Sequence, residues 1–116
     1  MTKSLLDIRD ALQRFAAERD WEQFHSPKNL AIALSVEASE LLENFQWLTE
    51  EASCKLPPEK LARVREEMAD VFLYLVWLAD KLDVDLLDVA QQKIELNAKR
   101  YPAAKARGNS RKYTEL

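Results

Sequence analysis

The sequence predicts an all-α fold, a four-helix bundle, on three observations. Apolar residues recur at helical spacing through four long segments. No stretch alternates apolar and polar residues as a half-buried strand does. The one glycine, Gly108, and the 4 prolines, Pro27, Pro57, Pro58 and Pro102, all fall at or beyond segment ends. Taken in order, Ser4 caps a first helix running to about residue 19, with Leu5, Ile8, Leu12, Phe15 and Ala16 as its inward stripe. Residues 21–25, WEQFH, break that spacing and read as a connection. Ser26 followed by Pro27 is a cap with proline at the first helical position, and a second helix runs from there to about residue 49. Residues 50–57 read as a loop, Pro57-Pro58 fixes the start of a third helix lasting to about residue 82, and a break at 83–85 precedes a fourth ending near residue 100. From residue 103 the chain reads as an irregular basic tail.

A length of 116 residues points to one domain, residues 1–116, long enough to bury a core. A net charge of −3 argues against a nucleic-acid-coating protein. One glycine excludes a Gly-rich phosphate loop, one cysteine (Cys54) excludes an internal disulfide or multi-Cys zinc site, and one histidine (His25) excludes HExxH. The charged N-terminal stretch has no signal-peptide core, and the longest apolar run, 71–79, is about half a membrane span, so the expected compartment is the cytoplasm and no membrane partner is expected. That run is apolar on every side of the third helix, which implies a homo-oligomer or a helix placed centrally in the core.

The sharpest chemical signal is acidic. Glu37 and Glu40 on the second helix, and Glu67 and Asp70 on the third, are each spaced i, i+3, so the carboxylates of a pair lie about 60° apart on one face. Glu37 sits among Ala33, Leu34 and Leu41, and Glu67 between Val64 and Val71, so both pairs lie on stripes that should face inward. Buried carboxylates that repel one another need a partner, and no basic residue sits inside either motif. A hard divalent cation, Mg²⁺ with Mn²⁺ as substitute, resolves the conflict through oxygen ligands. The alternative is that these acids are simply solvated. A di-iron site is disfavoured because it wants Glu-x-x-His, which His25 does not supply.

Mg²⁺ held by few carboxylates takes further ligands from water and substrate phosphates. Lys93, Asn97 and Arg100, at i, i+4, i+7, share a face of the fourth helix, and six basic residues with no acid lie between positions 99 and 112. That excess reads as an anion-binding segment or a solvated tail. Tyr74 lies one turn beyond Asp70, Trp47 lies seven residues beyond Glu40, and Trp21, Phe24 and His25 cluster before the second helix; such rings can stack a base or pack the core.

The ordered set WEQFH, ExxE, FQW, ExxD, RYP and SRKYTEL resembles the MazG-like superfamily of all-α nucleoside triphosphate pyrophosphohydrolases, and within it the branch acting on dCTP, over nearly the whole chain. The resemblance implies Mg²⁺-dependent hydrolysis of a (deoxy)nucleoside triphosphate to the monophosphate and pyrophosphate, in a homotetramer. It implies Glu37, Glu40, Glu67 and Asp70 as metal ligands and catalytic acids. It implies Trp21, Glu22, Gln23, Phe24 and His25 along the nucleotide pocket, Trp47 and Tyr74 on the base or sugar, and Lys93, Asn97 and Arg100 on the phosphates. One position departs: where close relatives place a histidine of the first helix in the nucleotide pocket, this chain has Leu12. Cleavage between the α and β phosphates needs neutralised oxygens and an aligned water, with Glu40 the first choice of general base and Glu37 or Glu67 as alternatives. Two other readings stand beside it: a broad house-cleaning hydrolase of non-canonical triphosphates, and a non-catalytic helical adaptor.

Overall fold

The computed structural model describes residues 3–116, and among them there are helices and turns but no strand. The first helix, α1 (Leu5–Glu18), begins at a reciprocal cap. The Asp7 N–H donates to Ser4 Oγ at 3.1 Å, and the Ser4 N–H donates to the Asp7 carboxylate at 3.3 Å. It ends where Asp20 takes a left-handed conformation (φ 54) and the Trp21 N–H donates back to the Ala16 carbonyl at 2.9 Å. The WEQFH connection contains a 3₁₀ turn, Glu22–Phe24. Ser26 then caps α2 (Pro27–Glu43) by accepting the Asn29 N–H at 3.1 Å, with Pro27 in the first turn.

This second helix stops well before residue 49. Asn44 ends it: its side-chain amide reaches back to the Glu40 carbonyl at 3.2 Å, and turns occupy residues 44–47. Part of the expected loop is a single helical turn, α3 (Glu50–Ser53), capped by Thr49, which accepts the Ala52 N–H at 3.0 Å. The proline pair sets the start of α4 (Pro58–Lys81). Asp83, at φ 55, marks the break before α5 (Leu86–Arg100), whose cap Asp85 accepts the Asp88 N–H at 3.1 Å. The tail is less irregular than its composition suggests: it holds a short helix, α6 (Ala103–Ala106), and a 3₁₀ turn, Tyr113–Glu115.

The chain divides into two compact units, the first ending at Asp83 and the second Val84–Leu116. In the first, α4 packs most extensively on α2 and also on α1. The buried side chains are Leu12 and Ala16 of α1, Leu30 of α2, and Val64, Val76, Trp77 and Ala79 of α4. Two polar contacts tie α1 to α4. The Gln13 amide donates to both oxygens of Asp80 at 3.0 and 3.1 Å, and the Trp77 indole N–H donates to the Leu12 carbonyl at 3.4 Å. The run 71–79 is divided by this packing, with Val76, Trp77 and Ala79 buried while Phe72 and Leu75 remain exposed. Leu61, Met68, Phe72 and Leu75 leave an apolar stripe uncovered on α4, and Ile32, Val36 and Leu42 do the same on α2. In the second unit, the Arg100 guanidinium lies over the Tyr113 ring at 4.7 Å, and Tyr101 meets Tyr113 edge-on at 6.1 Å. Among the described residues, no helix is long and apolar enough to cross a membrane.

Candidate metal and nucleotide site

The α2–α4 packing brings the two acidic motifs together. Carboxylate oxygens of Glu37, Glu67 and Asp70 lie within 4.8 Å of one another. Glu40 lies outside that close set but near enough for its charge to act on both Glu37 and Glu67. Oε2 of Glu37 and Oε2 of Glu67 are buried and have no hydrogen-bond partner. Burial pushes the Glu37 carboxyl up to about 7; its hydrogen bond with Glu40 and the charges of Glu40, Asp70 and Glu67 add to that. Glu67 is raised in the same sense, by burial first and then by Glu40 and Asp70, with its hydrogen bond to Glu37 opposing. No salt bridge among the described residues involves any of the four. Close acids with orphaned oxygens and no basic partner are a donor set for a hard divalent cation, which prefers carboxylate oxygen and satisfies several at once.

A recess of about 280 Å³ opens directly beside these acids, with Glu37 and Asp70 on its wall. The rest of the lining is Leu12, Phe15, Trp21, Leu73, Tyr74 and Trp77. Phe15 and Trp21 meet edge-on at 5.5 Å, and Tyr74 and Trp77 lie 5.4 Å apart. Burial and the charges of Glu37 and Asp70 raise the Tyr74 hydroxyl, which places that group in the field of the acids. An apolar, aromatic recess adjoining anionic oxygens can hold a flat ring while a charged group of the same molecule reaches the acids.

The other expected binding residues distribute unevenly. Of WEQFH, only Trp21 reaches the recess. Gln23 spends its amide on the Asp20 carbonyl and carboxylate at 3.0 and 3.1 Å. Glu22 and Phe24 are exposed, while the Phe24 carbonyl accepts from Asn29 at 3.0 Å. His25 packs on Trp77 at 4.7 Å, where burial and Lys81 lower its pKa against the opposing pull of Glu22; its buried Nδ1 has no partner. Trp47 does not share the Glu40 face, because α2 ends before it; the side chain is 87% exposed and lies outside the recess. Lys93, Asn97 and Arg100 lie on α5 in the second unit, Lys93 and Asn97 exposed.

Phe15, Leu73 and Trp77 were legible only as core. The signal that marks two of them is spacing: Leu73 and Trp77 follow Asp70 by one and two turns on the face that Tyr74 shares. Phe15 had no such link, since its partnership with Trp21 depends on the left-handed turn at Asp20.

Residues 32–116 match the MazG-like family. The chain is 50% identical to dCTP pyrophosphatase 1 of Homo sapiens and 48% identical to that of Mus musculus, each over 115 residues covering 97% of this chain and 68% of the relative. The crystal structure of a pyrophosphatase from Archaeoglobus fulgidus superposes with a TM-score of 0.82 at 34% identity, covering 88% of this chain and 95% of that one. With acids from two helices converging beside an aromatic recess, and with relatives of this similarity spanning nearly its whole length, the chain belongs to the MazG-like family.

Proposed function

We propose that residues 1–116 act as one nucleoside triphosphate pyrophosphohydrolase domain that cleaves dCTP, or related and modified deoxynucleoside triphosphates, to the monophosphate and pyrophosphate. The observation that carries this reading is the pair of buried, partnerless oxygens on Glu37 and Glu67 in an acid cluster that borders an aromatic recess. The names of the relatives supply the substrate class.

Glu37, Glu40, Glu67 and Asp70 hold Mg²⁺, with Mn²⁺ as a substitute. The bound ion supplies charge neutralisation at the phosphoryl oxygens and lowers the pKa of water in contact with it. The chain's own residues do the rest. The recess seats the base and sugar between Trp21, Tyr74 and Trp77, so the triphosphate lies toward Glu37 and Asp70. A water attacks phosphorus, the bond between phosphorus and the bridging α–β oxygen breaks, and pyrophosphate leaves. Glu40 takes the proton of that water. No covalent intermediate forms, because water is the nucleophile and no Ser or Cys is required; Ser39, inside the first motif, directs its hydroxyl at the Ser35 carbonyl.

The exposed stripe Leu61, Met68, Phe72, Leu75 on α4 is covered by further copies of the chain in a tetramer; Leu61, Met68 and Leu75 recur every seven residues, the spacing of a helix seam. The lone thiol, Cys54, is exposed, which suits the reducing cytoplasm. The deciding test is pyrophosphate release from dCTP with Mg²⁺ and with EDTA. Release that depends on the cation supports the assignment, and its absence with every deoxynucleoside triphosphate would leave the helical adaptor.

A further inference from the structure

We propose that Leu12 is a specificity-determining residue of the recess: it leaves the base-binding end without a fixed polar reader, so the site selects bases by stacking and volume and discriminates weakly between 4-amino and 4-oxo pyrimidines. This rests on reading the recess as the seat of the nucleotide base.

Cytosine differs from thymine and uracil at position 4, amino donor against oxo acceptor, and at N3, acceptor against donor. Rejecting one in favour of the other needs a side chain that offers only a donor or only an acceptor at that edge. The recess supplies none at its inner end. Leu12, Phe15 and Leu73 carry no polar atom. The Trp77 indole N–H is already directed at the Leu12 carbonyl. The remaining main-chain groups of α1 and α4 around it are inside helices and bonded there. Tyr74 has a hydroxyl, but a hydroxyl donates or accepts with equal ease and reads neither pattern. Trp21 stands at the rim, 40% exposed, and its N–H suits the 2-oxo group that all pyrimidines share.

Leu12 is the position where this could have been otherwise. It is buried on the inward stripe of α1, it lines the recess, and its carbonyl accepts the Trp77 indole N–H at 3.4 Å. A polar side chain there would present a reader to the bound ring, and the leucine presents only methyl groups. Apolar pockets separate close isosteres by roughly 10- to 200-fold, whereas a site that hydrogen-bonds the distinguishing group separates them by about 10⁴-fold or more.

Two measurements on the full chain test this. Turnover with Mg²⁺ is compared for dCTP, dTTP and dUTP, and binding of the uncharged nucleosides deoxycytidine and thymidine is followed by tryptophan fluorescence without metal, since Trp21 and Trp77 line the recess. Ratios of kcat/KM and of Kd below about 100-fold are expected; a thousandfold or greater preference for either base would overturn the proposal. Binding of both nucleosides with no turnover of any triphosphate would refute the hydrolase reading and leave the apolar recess standing. Leu12→Asp, which keeps the branching and as a carboxylate offers only acceptors, is expected to raise the dCTP to dTTP ratio by about tenfold or more. An equal loss on both substrates in a folded variant would remove Leu12 from the specificity role. If circular dichroism shows L12D unfolded, Leu12→Glu, with its longer apolar stem, carries the same comparison.

Discussion

Titrating the metal-free protein tests the acid cluster as a physical object, independently of any substrate. Glu37 has an ordinary carboxyl value of 4.5 in the unfolded chain and one raised to about 7 in the fold. Below pH 4.5 the group is protonated in both states and carries no penalty. Between 4.5 and 7 the unfolded state loses its proton first, so stability falls with rising pH, and above 7 the loss is complete. The difference between 4.5 and about 7 corresponds to on the order of 3 kcal/mol, reduced to about 2 kcal/mol because Glu37 is half-buried and water reaches it. At a urea m-value of about 2 kcal/mol/M, the midpoint should drop by about 1 M between pH 5 and pH 8 in EDTA. Mg²⁺ present at 100 times its Kd should restore about 2.7 kcal/mol at pH 8 and much less at pH 5, where protons compete for the same oxygens. Glu37→Gln should flatten the pH dependence and weaken the metal effect together. Urea midpoints that are equal at pH 5 and 8 in EDTA, and unmoved by Mg²⁺ at pH 8, would show that these carboxylates do not form the strained cluster.

Glu40→Gln and Asp70→Asn should each lower kcat at least 100-fold while leaving the helical circular dichroism intact; near-normal turnover in both would remove the metal assignment. Trp77→Ala should cost about 3–5 kcal/mol in chemical denaturation, because the ring is buried against Tyr74 and His25 and its N–H ties α4 to α1. Met68→Glu places a charge in the middle of the uncovered stripe on α4 and should shift light-scattering mass toward a single chain, with an unchanged mass telling against that stripe as an interface.

The acid cluster was legible in the sequence because two regularities coincide there. An i, i+3 pair on a helix fixes the relative direction of two side chains, and apolar neighbours on the same stripe fix that direction inward. Both facts are local, so Glu37, Glu40, Glu67 and Asp70 could be placed before any packing was known. Trp47 shows where such reasoning stops. Its spacing from Glu40 carries meaning only if the helix continues, and the Asn44 side chain ends it by bonding the Glu40 carbonyl. Capping competition of this kind depends on which conformation the following residues prefer, and the turn at 44–47 leads into a Thr49 cap that periodicity alone does not reveal. The recess was hidden for a different reason. Leu12, Phe15 and Trp77 have the same pattern whether they meet in a closed core or leave a gap between α1 and α4, since a cavity is set by the distance between helices rather than by the spacing along them.

The adjacency of recess and acids constrains how cation and nucleotide must depend on each other. Glu37 and Asp70 are at once part of the acid cluster and part of the recess wall. A triphosphate seated there without a cation would bring several negative charges against ionised carboxylates in a partly dry setting, where repulsion is weakly screened. Nucleotide affinity therefore has to rise steeply with cation occupancy. Linkage then requires the converse: a bound triphosphate raises cation affinity by the same factor, because a coupling free energy belongs to the pair of sites and not to either one. The base-binding end is exempt from this coupling. Its walls are uncharged, so a nucleoside without phosphates should bind with or without the cation, and only the phosphate-bearing end is conditional. Geometry alone thus separates the two halves of recognition: stacking on the apolar walls sets which molecule enters, and charge on the wall formed by Glu37 and Asp70 sets whether a triphosphate can stay.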